Sequence, residues 1–264
     1  MKVESTSRLA GPVFARGEVW LVGAGPGDPS LLTLRAVQAL EAADLVLHDA
    51  LPGRAVLRHV RRGAEVIAVG KRKGAAPVPQ ARINARLVQG ALAGLRVVRL
   101  KGGDPFIFGR GGEEAAACDA AGVTWRVVPG VSAGLAAPAA AGIPLTQRGI
   151  ASAVTFLTAH DEAGGLPAME WGALPRTVVA FMALTKLDEV ATRMLAGGRP
   201  GSTPVAIVSE ASLPTQRVLR TSLGACTLDA RRAGMPAPAL VVIGEAAALA
   251  GTLDAPLPAQ AAHA

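Results

Sequence analysis

The 264-residue chain is half hydrophobic and carries a formal charge of +7, with aromatic residues at 3% and no tyrosine. That length supports one large domain or two small ones with a real core, and no apolar run approaches the length of a membrane span. The arginine-heavy excess of positive charge fits nucleic acid, an anionic small molecule or an Ala/Arg-rich genome. The scarcity of rings argues against a stacking RNA surface, and an acidic small substrate fits as well.

The opening "MKVESTSRLAGPVFARG" is too polar for a signal peptide, and weak order is expected over residues 1–17. From there short β-branched runs alternate with helical patterns. "EVWLVG" reads as a strand, followed by "SLLTLRAVQALEAA" as a helix with Ser30 as N-cap. "DLVLHD" and "EVIAVG" are strands, and a helix is expected near Gln80 to Leu92. "LRVVRLKGG" is the next strand, "GEEAAACDAAG" a helix and "WRVVPG" a strand. This alternation implies a sheet with helices on its faces.

"AAGIPLTQRG" breaks the pattern at Gly142, Pro144 and Gly149, and the domain boundary is expected there. The division is then an N-terminal α/β domain over 18–143 and a C-terminal α/β domain with a mixed sheet over 144–250. Strands follow at "SAVTFLT", "TVVAF", "PVAIVS", "QRVLRTSL" and "PALVVIG", with a helix at "LDEVATRMLAGG". "QRVLRTSL" alternates apolar and polar residues, which predicts an antiparallel strand with one wet face. Residues 251–264 read as a disordered tail. Cys118 and Cys226 form no metal pattern and lie beside no obvious base, so buried or idle thiols in a reducing cytoplasm are expected.

Three glycine turns carry the chemistry. "VGAGPGDPSLLT" has Gly23 and Gly25 in the dinucleotide pattern, but Asp28 stands at the third glycine position and would repel a pyrophosphate. Pro26 removes a backbone N–H that an anion would use. This turn therefore brings bare backbone to a ligand that is not chiefly anionic, or it is a plain strand-to-helix turn. "RLKGGDPFIFGRGGEE" places Gly102 and Gly103 at a strand end, where α/β sheets put their ligands, with Asp104 next to them. "VPGVSAG" forms the third turn, and the three together suggest one shared cleft.

"VGAGPGDPSLLT", "VGKRKG", "RLKGGDPFIFGRGGEE", "VPGVSA" and "AGIPLTQR", in this order, resemble the tetrapyrrole methylases from about Glu18 to Glu245. The narrower "VGKR" and "RLKGGDPFIFGRGGEE" resemble the branch acting on uroporphyrinogen III. The resemblance implies two α/β domains with S-adenosyl-L-methionine in the cleft between them, S-adenosyl-L-homocysteine as product, and usually a homodimer. It implies methyl transfer to C2 and C7 of uroporphyrinogen III, giving precorrin-1 and then precorrin-2 for sirohaem, cobalamin or haem d1. No metal is implied, because the sulfonium already activates the methyl group. The sequence shows no fused dehydrogenase-chelatase domain, so later sirohaem steps are expected to need other proteins.

By the same resemblance Pro26, Gly102, Gly103, Asp104, Ile107, Ser132, Ala133, Met182 and Ala211 contact the cofactor. Asp49 and Lys71 match the family's proton acceptor and donor, the alternatives being a helix-cap or turn residue for Asp49 and a solvated Lys71–Arg72–Lys73 patch for Lys71. Arg110, Glu113 and Arg148 match its substrate side. Surface salt bridging is the alternative for Glu113, and core packing for Ile107, Met182 and Ala211. Three positions depart from the family pattern: Gln147 in "LTQR" for a histidine, Ala159 in "TAH" for a glycine, and His48 for a tyrosine. Gln147 can hydrogen-bond but carries no proton near neutrality. The competing readings are a methylase of another corrin intermediate, of diphthine or of ribosomal RNA, and a nucleotide-binding dehydrogenase. The long glycine run argues against the first group; Pro26 and Asp28 argue against the last.

Overall fold

The computed structural model describes residues 13–70, 78–161 and 163–249. The expectations for residues 1–12 and 250–264, and for Lys71, lie outside them. The chain divides into two compact units, Met1–Ser132 and Ala133–Ala264.

The first unit holds a parallel five-stranded sheet in the order β3-β2-β4-β1-β5. Its strands are β1 (Val19–Gly23), β2 (Leu45–His48), β3 (Glu65–Ala68), β4 (Val97–Lys101) and β5 (Trp125–Val128). Helices α1 (Leu34–Ala42), α2 (Arg54–Leu57), α3 (Gln80–Leu92) and α4 (Gly111–Ala120) connect them. Successive residues of a strand face opposite sides, and β4 shows it cleanly. Val98 and Leu100 pack with Trp20, Val22 and α1 residues Ala36, Ala39 and Leu40. Val97 packs on the other face with Leu21, Leu45, α3 residues Ile83 and Leu87, and α4 residues Ala115 and Cys118.

Two local expectations are corrected here. The N-cap of α1 is Thr33, whose hydroxyl accepts from Ala36 N at 3.1 Å. Ser30 lies in a separate 3-10 turn, Pro29–Leu31, which Asp28 caps by accepting from Ser30 N at 2.8 Å. Pro29 starts that turn well because its missing N–H would have no helical partner. Part of the arm expected to be weakly ordered, residues 1–17, also packs into the first unit. Phe14 is buried and stacks on Trp20 with ring centroids 4.5 Å apart.

The second unit holds a mixed five-stranded sheet in the order β6-β7-β10-β8-β9. The strands are β6 (Val154–Thr158), β7 (Thr177–Phe181), β8 (Pro204–Ser209), β9 (Arg217–Ser222) and β10 (Ala239–Ile243), with helices α5 (Ala133–Ala140), α6 (Leu187–Ala196) and α7 (Cys226–Arg232). β9 pairs antiparallel to β8 at the sheet edge, as its alternation implies. The units divide before α5 rather than at Ile143. Ala137, Ala141 and Ile143 are buried against Val179, Ala206, Val208 and Val242, so the α5 segment belongs to the core of the second sheet. Its alanine-rich sequence has little amphipathic pattern to reveal that attachment. Both cysteines are buried and free, and burial pushes the Cys118 thiol up to about 11.

Candidate active site

In the first unit, β1 and β4 are neighbours whose following helices, α1 and α4, lie on opposite faces of the sheet. That is a topological switch point, where loops leaving adjacent strand ends diverge and open a crevice for ligands. The loops after these two strands meet there. Gly25 N donates to Gly103 O at 3.2 Å and Gly103 N to Gly25 O at 2.7 Å. The third glycine turn joins them. A Cβ on Gly23 would lie 2.5 Å from Gly130 Cα and 2.6 Å from Gly103 O, and one on Gly130 would overlap Gly103 O. The three turns therefore come together as interlocked bare backbone, and Gly25 and Gly103 also need their positive φ of 68° and 66°.

Asp104 braces this junction. Its Oδ1 accepts from Phe106 N at 2.9 Å and its Oδ2 from Gly130 N at 3.1 Å, so the carboxylate ties its own loop to the third turn. Pro26 is half-buried, Ile107 partly exposed and Ser132 buried. Ala133 opens α5. Arg110 and Glu113 form a bidentate pair, Nε to Oε1 and Nη2 to Oε2, both 2.7 Å, on the first turn of α4. The salt-bridged alternative for Glu113 is thus present, and the Arg110 hydrogen bond holds its carboxyl below the usual range.

Asp49 follows β2 on the same strand-end edge. Its N–H donates to Leu100 O at 3.1 Å, and its Oδ1 accepts from Arg99 Nη2. Gly70, after β3, presses against the Asp49–Ala50 peptide so closely that a Cβ there would overlap Ala50 N. The sequence alone does not single out Arg99 as the partner of Asp49. The available signal was two cations, Arg99 and Lys101, at alternate positions of a strand otherwise aliphatic.

In the second unit, β6, β7 and β8 run the same way. Met182, directly after β7, has φ 55° and is half exposed. Ala211 lies between Glu210 (φ 48°) and Ser212 (φ 66°), directly after β8. With Phe108 (φ 49°) and Arg110 (φ 60°) these are the non-glycine residues of positive φ among the described residues. Left-handed backbone costs a non-glycine residue roughly 1–3 kcal/mol, and such strain persists where a site requires it. All five lie in or beside stretches to which the resemblance assigns cofactor or substrate contacts. Arg148 stands exposed in a tight turn closed by Gln147 and Ala151, which exchange both backbone hydrogen bonds at 2.9 Å. Gln147 is exposed there, and its backbone closes the turn.

This arrangement defines a class. The chain belongs to the tetrapyrrole (corrin/porphyrin) methylases, whose family model matches residues 18–227. Among its relatives, it is 47% identical to a uroporphyrinogen-III C-methyltransferase from Sinorhizobium sp, over 92% of this chain and 88% of that one. It is 50% identical to siroheme synthase 1 of Yersinia enterocolitica over 90% of this chain, and there it spans about half of the relative, 50%. In structure it is similar to uroporphyrin-III C-methyl transferase from Thermus thermophilus complexed with S-adenyl homocysteine. The TM-score is 0.76 and the identity 38%, covering 88% of this chain and 99% of that one. Among the described residues no helix is long and apolar enough to cross a membrane.

Proposed function

We propose that the chain transfers methyl groups from S-adenosyl-L-methionine to C2 and C7 of uroporphyrinogen III, giving precorrin-1 and then precorrin-2. Precorrin-2 then serves sirohaem, cobalamin or haem d1 synthesis. The observation that carries this reading is the Gly25–Gly103 backbone crossing at the β1/β4 switch point, which joins the first glycine motif to the narrower "RLKGGDPFIFGRGGEE" run.

The residues present fit the cofactor. In the first unit the glycine turns interlock backbone against backbone, and in the second the turns after β7 and β8 carry left-handed backbone at Met182 and at Glu210 and Ser212, on either side of Ala211. In this reading Pro26, Gly102, Gly103, Asp104, Ile107, Ser132 and Ala133, with Met182 and Ala211, hold it. When bound, it supplies a methyl group already activated on a sulfonium. Asp104 keeps the loops in register. Arg110, steadied by Glu113, and Arg148 recognise the acetate and propionate groups of the substrate, for which a guanidinium fork is well suited.

Methylation of a pyrrole carbon leaves a cationic ring system that must lose a proton. Asp49 accepts it in this reading, and Lys71 is the matching donor. A homodimer in the cytoplasm belongs to the same reading, on the family resemblance alone. The test is mass spectrometry after incubation with uroporphyrinogen III and methyl-labelled cofactor. The expected product carries two added methyl groups, with a monomethylated intermediate. A product that stops at one methyl under excess cofactor contradicts the assignment.

A further inference from the structure

A second group of charges lies behind Asp49. Arg99 and Lys101, two apart on β4, share the sheet face covered by α3 and α4. Both side chains are buried, at 3% and 2% exposure, and Glu114 of α4 is fully buried between them. Glu114 Oε1 accepts from Arg99 Nε at 2.7 Å, and Oε2 from Lys101 Nζ at 2.9 Å. Gln80 at the start of α3 donates to Oε1 at 3.1 Å. The remaining donors of Arg99 are also directed. Nη1 reaches the carbonyls of Leu47 at 3.4 Å and Leu100 at 3.1 Å, and Nη2 reaches Asp49 Oδ1.

Stability alone gives no reason for this cluster. Desolvation offsets most of the attraction in a buried ion pair, and well-packed apolar residues of similar volume often do as well or better. The same face of β4 is apolar at Val97, and it turns to charge only at the strand end where Asp49 sits. What the cluster achieves is one fixed orientation for one guanidinium. Glu114 and two carbonyls hold it from within the core, and its outer nitrogen meets the carboxylate at the strand-end edge.

We propose that Arg99 is a positioning residue for Asp49, with Glu114 and Lys101 as the buried frame that fixes Arg99. The inference rests on the role of Asp49 proposed above. Arg99 sets which way the carboxylate points, and Asp49 meets the substrate.

The test is a double-mutant cycle with Arg99→Lys and Asp49→Asn, read as kcat, KM and S-adenosyl-homocysteine affinity. A lysine cannot reproduce a fork that spans Glu114, two carbonyls and Asp49. Arg99→Lys is expected to lower kcat about tenfold or more, a part of the roughly 10²–10⁴-fold that a positioned general base contributes, with KM and cofactor-product affinity nearly unchanged. On the Asp49→Asn background it should add almost nothing. Full multiplication of the two losses overturns the proposal, as does a folded Arg99→Lys enzyme with wild-type kcat. If Asp49→Asn alone keeps wild-type turnover, the role of Asp49 itself has failed. Should Arg99→Lys not fold, Glu114→Gln keeps shape and an acceptor for Arg99 Nε. It should lower kcat by a smaller factor that again vanishes on the Asp49→Asn background, and unchanged kcat in that folded variant counts against the proposal.

Discussion

Asp44 sits just before β2, at the sheet edge opposite the glycine loops. Its Oδ2 accepts from Arg96 N and Nε, both at 3.0 Å, and its Oδ1 from Arg61 Nη2 at 2.7 Å. The Arg96 hydrogen bond, foremost among these, lowers its carboxyl from 3.8 to about 2, against the opposing effect of burial. A depressed carboxylate contributes stability above its unfolded value and loses it as pH falls through the folded one. Asp44→Asn is therefore expected to cost about 1–2 kcal/mol at neutral pH, after discounting for solvent around the half-exposed Arg61. The gap to wild type should narrow as pH falls from about 4 to 2. Urea denaturation across that range measures it, and a gap independent of pH would show that the lost charge is not the cause. The same scale explains what sequence reading overlooked in "RLKGGD". Arg99 and Lys101 look like ordinary surface cations until β4 is seen to be an inner strand, with β2 and β1 on either side. Their counter-charge, Glu114, comes from a helix that only the fold brings over them.

At the scale of elements, the boundaries follow local chemistry where that chemistry is strong. The helix over Gln80–Leu92 was legible because Ile83, Leu87 and Ala91 recur at helical spacing and face the core. The sequence pattern starts α1 too early because Ser30 and Thr33 are both good caps, and Pro29 and Asp28 divert the first into its own turn. The glycines divide in the same way. Gly130→Ala pushes a methyl group into the backbone of Gly103 and Gly23, neither of which can yield as a side chain would. Overpacking of this kind costs roughly 1–3 kcal/mol. Both a lower Tm and an S-adenosyl-homocysteine affinity weakened about tenfold are expected, since roughly 1.4 kcal/mol separates one decade in binding. Gly112→Ala is the control: it lies in the first turn of α4 with open space around it, so both readings should stay near wild type. Equal effects of the two substitutions would remove the interlocked turns from the site.

For the whole molecule the relevant quantity is the charge of +7. A polycarboxylate tetrapyrrole approaching a positive protein is drawn in by a field that salt screens over about 10 Å at 0.1 M. The value of kcat/KM for uroporphyrinogen III is expected to fall several-fold as ionic strength rises from roughly 0.01 to 0.3 M. The affinity for S-adenosyl-homocysteine, which has no net charge, should hardly change. Steady-state kinetics beside calorimetry in matched salt would reveal this. A flat kcat/KM would mean that the excess arginine serves only solubility.

The sequence by itself determined the alternation of strands and helices, the mixed character of the second sheet and the family. Those follow from local periodicity and from contiguous motifs, and each needs only residues near one another in the chain. It also singled out the three glycine turns, although not that their backbones interlock. Tertiary structure decided that Gly23, Gly103 and Gly130 must accommodate one another's backbones, that Asp104 ties two of those turns together, and that α5 packs with the second sheet. It also set Arg99, Glu114 and Lys101 behind Asp49. The physical reason is range. A cap or a hydrophobic stripe is settled within a few residues, whereas close backbone approach and buried charge pairing depend on partners brought together only when separate strands and helices pack.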